Sequence, residues 1–383
     1  MQKYFKKPDL PLFGIILSLI FLGILFLASV SASFGIQKFG NPFIFLQHQI
    51  VLGLIPGILS GIVAYIIPIS FIKKYAPHAL LFTLFLLLLV FVPGIGQQAG
   101  GASRWIGIGS LSFQPTELLK LTFILYAASW LSGRTSSVPK TTSKKRASFS
   151  ENFLAGRETL LPFLVVLGVI STLLLLQPNL STLSVIGITG IFVYFVASTP
   201  VWHTILMVGG GILSLILLIV FEPYRRGRLI TFLNPTLDPL GAGYQIKQAI
   251  MGIGSGGITG LGLGMSFQKF GVLPEPISDS IFAIIAEELG FIGAGLLVFL
   301  FIAFAWRAVI LATRTNDTFS RLCAIGIATW ISVQAFVNMG AMIGVLPLTG
   351  IPLPFISYGG SSLLVTICAM GVLLSVSKDT SHA

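Results

Sequence analysis

Charged side chains are scarce in this sequence. Asp, Glu, Lys and Arg make up 9% of its 383 residues, whereas a soluble domain carries roughly 25%. A chain with so few charges cannot cover a water-facing surface of its own size, and 55% of its residues are hydrophobic. The composition therefore excludes an ordinary cytosolic globular protein.

Cysteine and histidine are also rare. Cys323 and Cys368 both lie in apolar stretches, and the four histidines are scattered along the chain. Neither a disulfide framework nor a metal site made of these residue types follows from such spacing. We expect both cysteines to be small side chains of the hydrophobic core.

The chain is instead rich in long apolar runs, and its mean hydropathy is +0.96. Because a helix needs about 20 apolar residues to cross a membrane, the length leaves room for roughly ten spans. The sequence therefore predicts an all-α polytopic membrane protein with a large outer loop between the seventh and eighth spans. The first run is longer than the roughly 7–15-residue core of a signal peptide, so we expect an uncleaved span. The predicted spans are 11–32, 48–71, 79–93, 115–131, 161–177, 182–198, 203–221, 281–311, 321–345 and 359–376.

The distribution of Lys and Arg predicts the orientation. With the N-terminus inside, the cytoplasmic segments hold 15 of these residues and the outer segments hold 7. Because positive charges gather in the cytoplasmic loops of membrane proteins, we expect both termini in the cytoplasm. The net charge of +11 then reflects membrane topology and not nucleic-acid binding.

Two connections between spans are long. Residues 132–160 are polar, basic and rich in Ser and Thr, which predicts a mobile basic cytoplasmic loop. Residues 222–280 are the large extracytoplasmic loop, and their Gly-rich, partly apolar sequence predicts packing at the membrane surface. A long ordered loop in a compact protein is usually functional.

Two ionisable residues lie together in the fourth span, where charge is costly and marks a candidate site. Glu117 and Lys120 are three residues apart, so they share one helix face. Two interpretations are open. The pair either neutralises itself and orders the bundle, or it holds a cation ready for an anionic substrate.

Arginines gather on the outer side, where cations are otherwise sparse. Arg225, Arg226 and Arg228 stand near the start of the outer loop, and Arg104 lies in a Gly-rich outer segment beside Trp105. Guanidinium groups bind phosphate oxygens in a bidentate fork, so a diphosphate is a fitting ligand. Contact with lipid head groups is the other interpretation.

Four of the 12 acidic residues fall within 14 residues, where the outer loop turns into the eighth span: Glu275, Asp279, Glu287 and Glu288. Asp279 stands where the apolar run begins. Partial burial there would raise its pKa, as a general base requires. The alternative is that Asp279 or Ser278 caps the helix. Two turns deeper, Glu287 and Glu288 are expected to be paired or protonated.

The segment LPLTGIPLPFISYGGSS (346–362) breaks the helical pattern between the ninth and tenth spans. Irregular backbone at membrane depth must be buried in protein or line a cavity. We therefore expect this segment to lie inside the bundle.

Four strings of this sequence together resemble the SEDS family (shape, elongation, division and sporulation proteins, FtsW/RodA/SpoVE-like). They follow the family's order over about residues 90–365. The strings are PGIG…GGASRWIGIGSLSFQPTELLKL, YRRGRLITFLNPTLDPLGAGYQIKQAIMGIGSGGITGLGLG, LPEPISDSIFAIIAEELGFIG and LPLTGIPLPFISYGGSSLL. Residues 224–226 and 266–270 are more similar to the FtsW-like branch than to the RodA-like branch.

The resemblance implies a peptidoglycan glycosyltransferase that polymerises lipid II on the outer face of the bacterial cytoplasmic membrane. It implies a role in cell division at the septum, with a class B penicillin-binding transpeptidase and other divisome proteins as partners. Asp279 falls at the position of the family's catalytic carboxylate. The further candidate substrate-binding residues are Arg104, Glu117, Lys120, Arg225, Arg226, Glu275, Ser357, Tyr358 and Gly359. A divalent cation, Mg²⁺ or Mn²⁺, is left open as a cofactor.

The sequence departs from the family's pattern at two places. The family usually has His-Thr-Asp-Phe around the catalytic acid, and this chain has Ile277-Ser278-Asp279-Ser280. Many members have Gln-Pro-Asp where this chain has Gln177-Pro178-Asn179. The first departure keeps the acid, whereas the second puts in doubt an ionic role at position 179.

Other functions fit parts of the sequence. A lipid II flippase or transporter would also use intramembrane charges and broken helices, although the chain shows no internal repeat. An elongation-type, RodA-like polymerase would share the same chemistry. A scaffold that only recruits the transpeptidase would not need Asp279.

Overall fold

The computed structural model of the chain describes residues 8–99, 102–108, 111–135 and 149–378. Helices dominate it, and they enclose an apolar core. The helices are α1 (Leu10–Phe39), α2 (Ile44–Gln49), α3 (Ile55–Ile66), α4 (Ile69–Leu89), α5 (Pro115–Thr135), α6 (Phe149–Leu176), α7 (Leu180–Val196), α8 (Val201–Phe221), α9 (Pro223–Leu233), α10 (Ala242–Gly256), α11 (Ile281–Arg314), α12 (Thr318–Met342) and α13 (Gly360–Ser377). A π-helical turn (Ile50–Leu54) joins α2 to α3, and a 3₁₀ turn (Pro235–Leu237) follows α9.

The predicted polytopic α-helical architecture is confirmed. Within the described residues, eight helical segments are long and apolar enough to cross a membrane, and α7 is a shorter apolar helix. The remaining predicted span coincides with α5, which has the length but carries Glu117, Lys120 and Arg134. Each of the ten predicted spans thus overlaps a helix of the structure.

The third span differs from its prediction at both ends. The sequence predicts residues 79–93 and leaves Lys73 and Lys74 in a cytoplasmic connection, whereas α4 begins at Ile69 and ends at Leu89. Pro77 lies inside the helix, because a transmembrane helix tolerates proline where its neighbours satisfy the freed carbonyl. Long Lys side chains near a helix end reach the interface, so the two lysines do not exclude a helical start.

A small antiparallel sheet precedes α5 and is not predicted by the sequence. Its strands are β1 (Gly96–Ala99), β2 (Ala102–Ile108) and β3 (Leu111–Phe113), in the order β1-β2-β3. Gln97 pairs with Trp105, and Ile106 pairs with Phe113. The glycine-rich sequence hides the alternation that would indicate strands. The sheet presents Arg104 and Trp105 beside the first turn of α5.

Close helix packing in the bundle depends on glycine. The tenth span, α13, lies against α3, where an added Cβ on Gly371 would lie 2.1 Å from the Gly61 carbonyl oxygen. Small residues let transmembrane backbones approach in this way. The two helices therefore pack backbone to backbone.

The eighth span is broken near its outer end. Gly290 in α11 has φ 65° and ψ −165°, and residues 257–262 of the outer loop pair with the opened backbone. Leu261 N–H donates to the Glu287 carbonyl at 3.0 Å, and Phe291 N–H donates to the Gly257 carbonyl at 2.9 Å. The loop thereby satisfies backbone groups that the break removes from the helical ladder.

The two acids beside this break are predicted to be paired or protonated, and in the structure Glu288 forms an ion pair while Glu287 accepts hydrogen bonds. Lys269 Nζ lies 3.1 Å from Glu288 Oε1, and Ser29 Oγ donates to the same carboxylate. Glu287 accepts from the Phe267 N–H at 3.2 Å and from the Ser266 hydroxyl. Both carboxylates thus tie the end of the outer loop to α11 and α1.

The outer loop is more helical than the sequence indicates, since α9, the 3₁₀ turn and α10 all lie between Pro223 and Gly256. The predicted cytoplasmic loop over 132–160 lies partly outside the described residues, because 136–148 are not among them. In the part that is described, α5 continues to Thr135 and α6 begins at Phe149. Helix therefore extends into both ends of the predicted loop.

The first and last spans meet at one side of the bundle. Asp9 N–H donates to Ser377 Oγ at 3.1 Å, and the Asp9 carboxylate forms an ion pair with Arg307 at 2.7 Å. Asp9 also caps α1 by accepting from Leu12 N–H. The structure thus brings residues 9 and 377 together on one side, as an even number of spans requires.

Candidate active site

Asp279 lies in the last turn of the outer loop, two residues before α11. The residue that caps this helix is Ser280, and its side chain makes no capping hydrogen bond. Ser280 Oγ instead donates to the Pro274 carbonyl at 2.8 Å and accepts from Gln245 Nε2 at 2.9 Å. The capping alternative for Asp279 is therefore wrong.

The environment of Asp279 suits a base that works near neutral pH. The side chain is 8% exposed, and this burial raises its pKa from 3.8 to about 6, with the charge of Glu275 adding to the rise. Gln245 and Arg228 act in the opposite direction. Among the described residues, Asp279 Oδ1 has no hydrogen-bond partner.

The backbone around Asp279 is held by the irregular segment between α12 and α13. Tyr358 N–H donates to the Ile277 carbonyl at 2.8 Å, and the Ser357 hydroxyl donates to the Ser278 carbonyl. Asn338 Nδ2 donates to the Asp279 carbonyl at 2.8 Å. The segment predicted to lie inside the bundle thus does so, and it supports the loop that carries the acid.

Two cavities meet beside this loop. A polar cavity of about 900 Å³ is lined by Arg104, Glu117, Arg225 and Arg228 among others. An aromatic cavity of about 730 Å³ is lined mostly by apolar and aromatic side chains, with Lys38 and His48 as its basic groups. They share a wall composed of Trp105, Glu275, Ser278, Tyr358 and Gly359.

Arg104 reaches the polar cavity from β2. Its Nε donates to the Gln177 carbonyl at 3.1 Å, and its Nη2 donates to the Pro178 carbonyl. These bonds fix the guanidinium against the turn between α6 and α7. Asn179, in the same turn, lines the cavity and caps α7 by accepting from Thr182 N–H. The neutral residue at position 179 therefore has a structural use.

Only one member of the charged pair in α5 reaches a cavity. Glu117 lines the polar cavity, whereas Lys120 lies behind it, 2% exposed. Lys120 Nζ is 2.9 Å from Glu117 Oε2 and donates to Gln334 Oε1 at 2.8 Å. This geometry favours the interpretation of a neutralised pair that orders the bundle.

The arginines of α9 point in different directions. Arg225 and Arg228 line the polar cavity, and Arg228 Nη1 also donates to the Leu348 carbonyl at 3.1 Å. Arg226 is exposed and lines neither cavity. Successive helical residues point about 100° apart, so three arginines within four positions cannot all face one cavity.

The candidate residues in the segment between α12 and α13 also lie in different places. Tyr358 and Gly359 lie in the shared wall, and Tyr358 OH is 2.9 Å from His48 Nδ1. Ser357 lines neither cavity, because its hydroxyl donates inward to Ser278 and accepts from Leu353 N–H. Glu275 lies in the shared wall with φ 50°, a conformation that is strained for a residue other than glycine.

Sequence reasoning missed the neutral polar residues of the site. Asn338, Gln334 and Gln245 all bond to groups of the site, but none is ionisable. A search for buried amides within predicted spans could have found Asn338 and Gln334, since polar groups are costly in a membrane. In the part of the chain that the structure describes, no group of three or more His, Cys, Asp or Glu side chains could hold a metal ion.

Comparison with known proteins places this chain in a family. The sequence profile described as "Cell cycle protein" (FTSW_RODA_SPOVE) matches residues 10–382. Stage V sporulation protein E of Bacillus subtilis (strain 168) is 38% identical over 380 residues, which cover 98% of each chain. The probable peptidoglycan glycosyltransferase FtsW of Coxiella burnetii (strain RSA 493 / Nine Mile phase I) is 41% identical over 372 residues, covering 96% of this chain and 95% of the relative.

Solved structures agree over nearly the whole chain. A chain of a peptidoglycan synthase complex, described as showing structural coordination of polymerization and crosslinking, has a TM-score of 0.73 at 29% identity. The match covers 98% of this chain and 99% of that chain. The rod shape determining protein RodA of Thermus thermophilus has a TM-score of 0.66 at 26% identity, with 98% of each chain covered.

Proposed function

Because this chain belongs to the FtsW/RodA/SpoVE family of cell cycle proteins, we propose that it polymerises lipid II into glycan strands with Asp279 as the general base. It is a peptidoglycan glycosyltransferase, as its relatives are named. The observation that carries the assignment of the base is the position of Asp279. This buried carboxylate stands beside the wall shared by a polar and an aromatic cavity, and its pKa is raised to about 6.

The reaction needs one base and one leaving group. The Asp279 carboxylate takes the proton of the acceptor sugar's 4-hydroxyl, and that oxygen attacks the anomeric carbon of the donor. The bond to the diphosphate breaks, the diphosphate leaves with the electron pair, and the configuration at the anomeric carbon inverts. A base with a pKa near the working pH is ionised often enough to accept the proton and basic enough to keep it.

The polar cavity suits the leaving diphosphate. Arg104, Arg225 and Arg228 all line it, so three guanidinium groups face the space in which negative charge develops. Fixed donors of this kind stabilise a developing charge without reorganising at the moment of reaction. Arg104 and Arg228 are held by backbone carbonyls, which supports such a fixed arrangement.

A divalent cation, Mg²⁺ or Mn²⁺, remains a proposal for the leaving diphosphate. The residues around Asp279 do not supply a set of three acidic, His or Cys ligands within the described chain. Such an ion would therefore take most of its ligands from the diphosphate and from water. None of the steps above passes through it.

The partner proposed for this chain is a class B penicillin-binding transpeptidase, with other divisome proteins around it. The related peptidoglycan synthase complex, described as coordinating polymerization with crosslinking, supports a crosslinking partner. The protein is a multi-pass membrane protein. We further propose the cytoplasmic membrane, with both termini in the cytoplasm, as the excess of Lys and Arg on that side indicates.

Division at the septum is the proposed setting, because several relatives carry the name FtsW. An elongation-type role is the other candidate, since RodA of Thermus thermophilus shares the fold. A fluorescently tagged copy in growing cells separates them. A septal band supports division, and a sidewall pattern supports elongation.

The decisive experiment compares purified wild type with Asp279→Asn, each with its cognate transpeptidase and labelled lipid II in detergent. Glycan polymer is read on a gel. Asp238→Asn is the matched control, because Asp238 lies in the same loop but lines neither cavity, and Asn keeps one oxygen that can accept a hydrogen bond from Gly241 or Ala242. Polymer from wild type and the control alone supports Asp279 as the base.

Polymer from Asp279→Asn at the wild-type rate would move the base elsewhere, with Glu275 as the next candidate. No polymer from any of the three proteins would contradict the polymerase proposal under these conditions. In that case a flippase is tested by following lipid II across vesicle membranes. Complementation of a deletion strain by Asp279→Ala would favour the scaffold.

A further inference from the structure

A short strap, residues 348–352, crosses the outer ends of three helices. Four of its five carbonyls accept hydrogen bonds from side chains outside the strap. Leu348 accepts from Arg228 of α9, and Thr349 accepts from Ser181 of α7. The two remaining bonds come from side-chain amides one turn apart on α12, Asn338 and Gln334.

Asn338 connects this strap to the catalytic loop. Its Nδ2 donates to the Ile351 carbonyl and to the Asp279 carbonyl, both at 2.8 Å. The side chain is 1% exposed, and its Oδ1 has no partner within the described chain. Both links therefore come from the donor end of a single amide, so a side chain without N–H groups at position 338 removes the two together.

The strap lies next to Asp279 at the edge of the polar cavity. Gly350 lines that cavity, whereas Asp279 does not. An added Cβ on Gly350 would lie 3.9 Å from Asp279 Oδ2, so the carboxylate is adjacent to this glycine. Gly350 has φ +66°, a conformation that glycine adopts without strain.

We propose that Asn338 is a positioning residue for Asp279, which sets the separation between the acid and the strap. It holds the carboxylate at the edge of the polar cavity beside Gly350 and keeps bulk water out. The inference rests on the proposed role of Asp279 as the general base. It goes beyond that role because it assigns the geometry of the base to a neutral side chain on α12.

The alternative is that Asn338 only satisfies two buried carbonyls and stabilises the fold. A structural role lowers the amount of folded protein but leaves the chemistry of the folded fraction intact. A positioning role changes the turnover number and the pH dependence. Misplacing a reacting group by about 1 Å is enough to lower a rate by roughly 100-fold.

Within the described chain, two charged groups act on the pKa of Asp279. Glu275 in the same loop and Arg228 from α9 act on it by charge, and Gln245 from α10 acts by hydrogen bonding. The strap and α12 contribute the uncharged Gly350 and Asn338 at this point. A substitution at position 338 thus alters burial and position without adding or removing charge.

The test uses the full-length protein with its transpeptidase and lipid II, and measures kcat, KM and the pH midpoint of kcat. We expect Asn338→Leu to lower kcat by roughly 10- to 100-fold while KM stays within about twofold, because Asn338 lines neither cavity. We expect the pH midpoint of kcat to fall, because the Asp279 carboxylate gains water when the two hydrogen bonds of Asn338 are lost. Hydration favours the charged form of a carboxylate and so lowers its pKa. Met339→Leu, at the next position of α12, is the control for altered packing and should match wild type.

Asn338→Ser is the second variant, in case Asn338→Leu does not fold. It keeps a single donor, and we expect a smaller loss of kcat in the same direction. Folded variants with wild-type kcat and an unchanged pH midpoint would overturn the inference, and so would a loss confined to KM. Asp279→Asn is run in parallel, because its full activity would overturn the proposed base, whereas an inactive Asp279→Asn beside a fully active Asn338→Leu would overturn only the role of Asn338.

Discussion

Glu275 and Asp279 lie in one loop but face different surroundings. Glu275 is part of the wall that both cavities share, whereas Asp279 lines neither cavity and is buried next to Gly350. The negative charge of Glu275 adds to the effect of burial in raising the pKa of Asp279. The more exposed Glu275 thus helps to set the pKa of the buried Asp279.

This relationship predicts a pH dependence. If the ionised Asp279 is the base, kcat/KM of wild type rises with pH and reaches half its maximum near pH 6, the value of the raised pKa. Glu275→Gln removes the nearby negative charge, which lowers the pKa of Asp279, so the midpoint moves to lower pH. Lipid II polymerisation measured between pH 4.5 and 8, as about eight evenly spaced points, checks both curves. A midpoint that stays in place or rises in Glu275→Gln would contradict this coupling.

Two neighbouring arginines of α9 allow a matched test of the proposed diphosphate site, one as the test residue and the other as its control. Arg225 lines the polar cavity and Arg226 is exposed outside it. Losing a hydrogen bond to a charged group costs about 1.5–3 kcal/mol, so we expect Arg225→Ala to raise KM for lipid II by roughly tenfold or more. Arg226→Ala should change KM by less than about twofold, since exposed charges contribute little. Equal effects of the two variants would indicate a general surface charge effect and not a site.

The pair in α5 is expected to act on stability. Lys120 and Glu117 are buried and 2.9 Å apart, and removing one partner of a buried pair costs about 3–5 kcal/mol. Lys120→Met alone should therefore lower the thermal unfolding midpoint in detergent more than the double variant Glu117→Gln/Lys120→Met. A double variant that is as unstable as the sum of the two single variants would show that the charges do not interact. Activity is measured on the folded fraction, because Glu117 also lines the polar cavity.

The break in α11 requires glycine. A Cβ on Gly290 would lie 2.3 Å from the Gly260 nitrogen, and the φ of +65° is unfavourable for other residues. The conformation is essentially restricted to glycine and costs about 1–3 kcal/mol in another residue, so we expect Gly290→Ala to lower the unfolding midpoint clearly. Gly295→Ala is the control on the same helix, where an added Cβ meets nothing within 4 Å. Alanine there should be neutral or stabilising by up to about 1 kcal/mol.

The sequence predicts the spans and the central acid for a shared physical reason. Apolar runs of spanning length can only be buried in lipid or in protein, and Asp279 is conspicuous because it stands at the edge of such a run. The pairing of Glu287 and Glu288 follows from the same cost of burial. Predictions of this kind depend on composition along the chain and need no knowledge of neighbours in space.

The other features of the site depend on contacts between residues that are far apart in the sequence. The position of a residue along the chain does not reveal such contacts. Whether Arg225 or Arg226 faces the polar cavity depends on the rotation of α9, a short helix within a predicted loop. The sheet that carries Arg104 is stabilised by pairing between strands. Asn338 is neutral, and its two partners lie 59 and 13 residues away along the chain. No local pattern marks such a residue.

The contact between residues 9 and 377 brings the start of the first span next to the end of the last span. The Asp9 N–H lies 3.1 Å from Ser377 Oγ, so a linker of a few residues could join the two positions without crossing the membrane. New ends could then be opened in a different connection, which is the geometry that circular permutation needs. The order in which the spans are synthesised could be rotated in this way while their arrangement in the bundle stays the same.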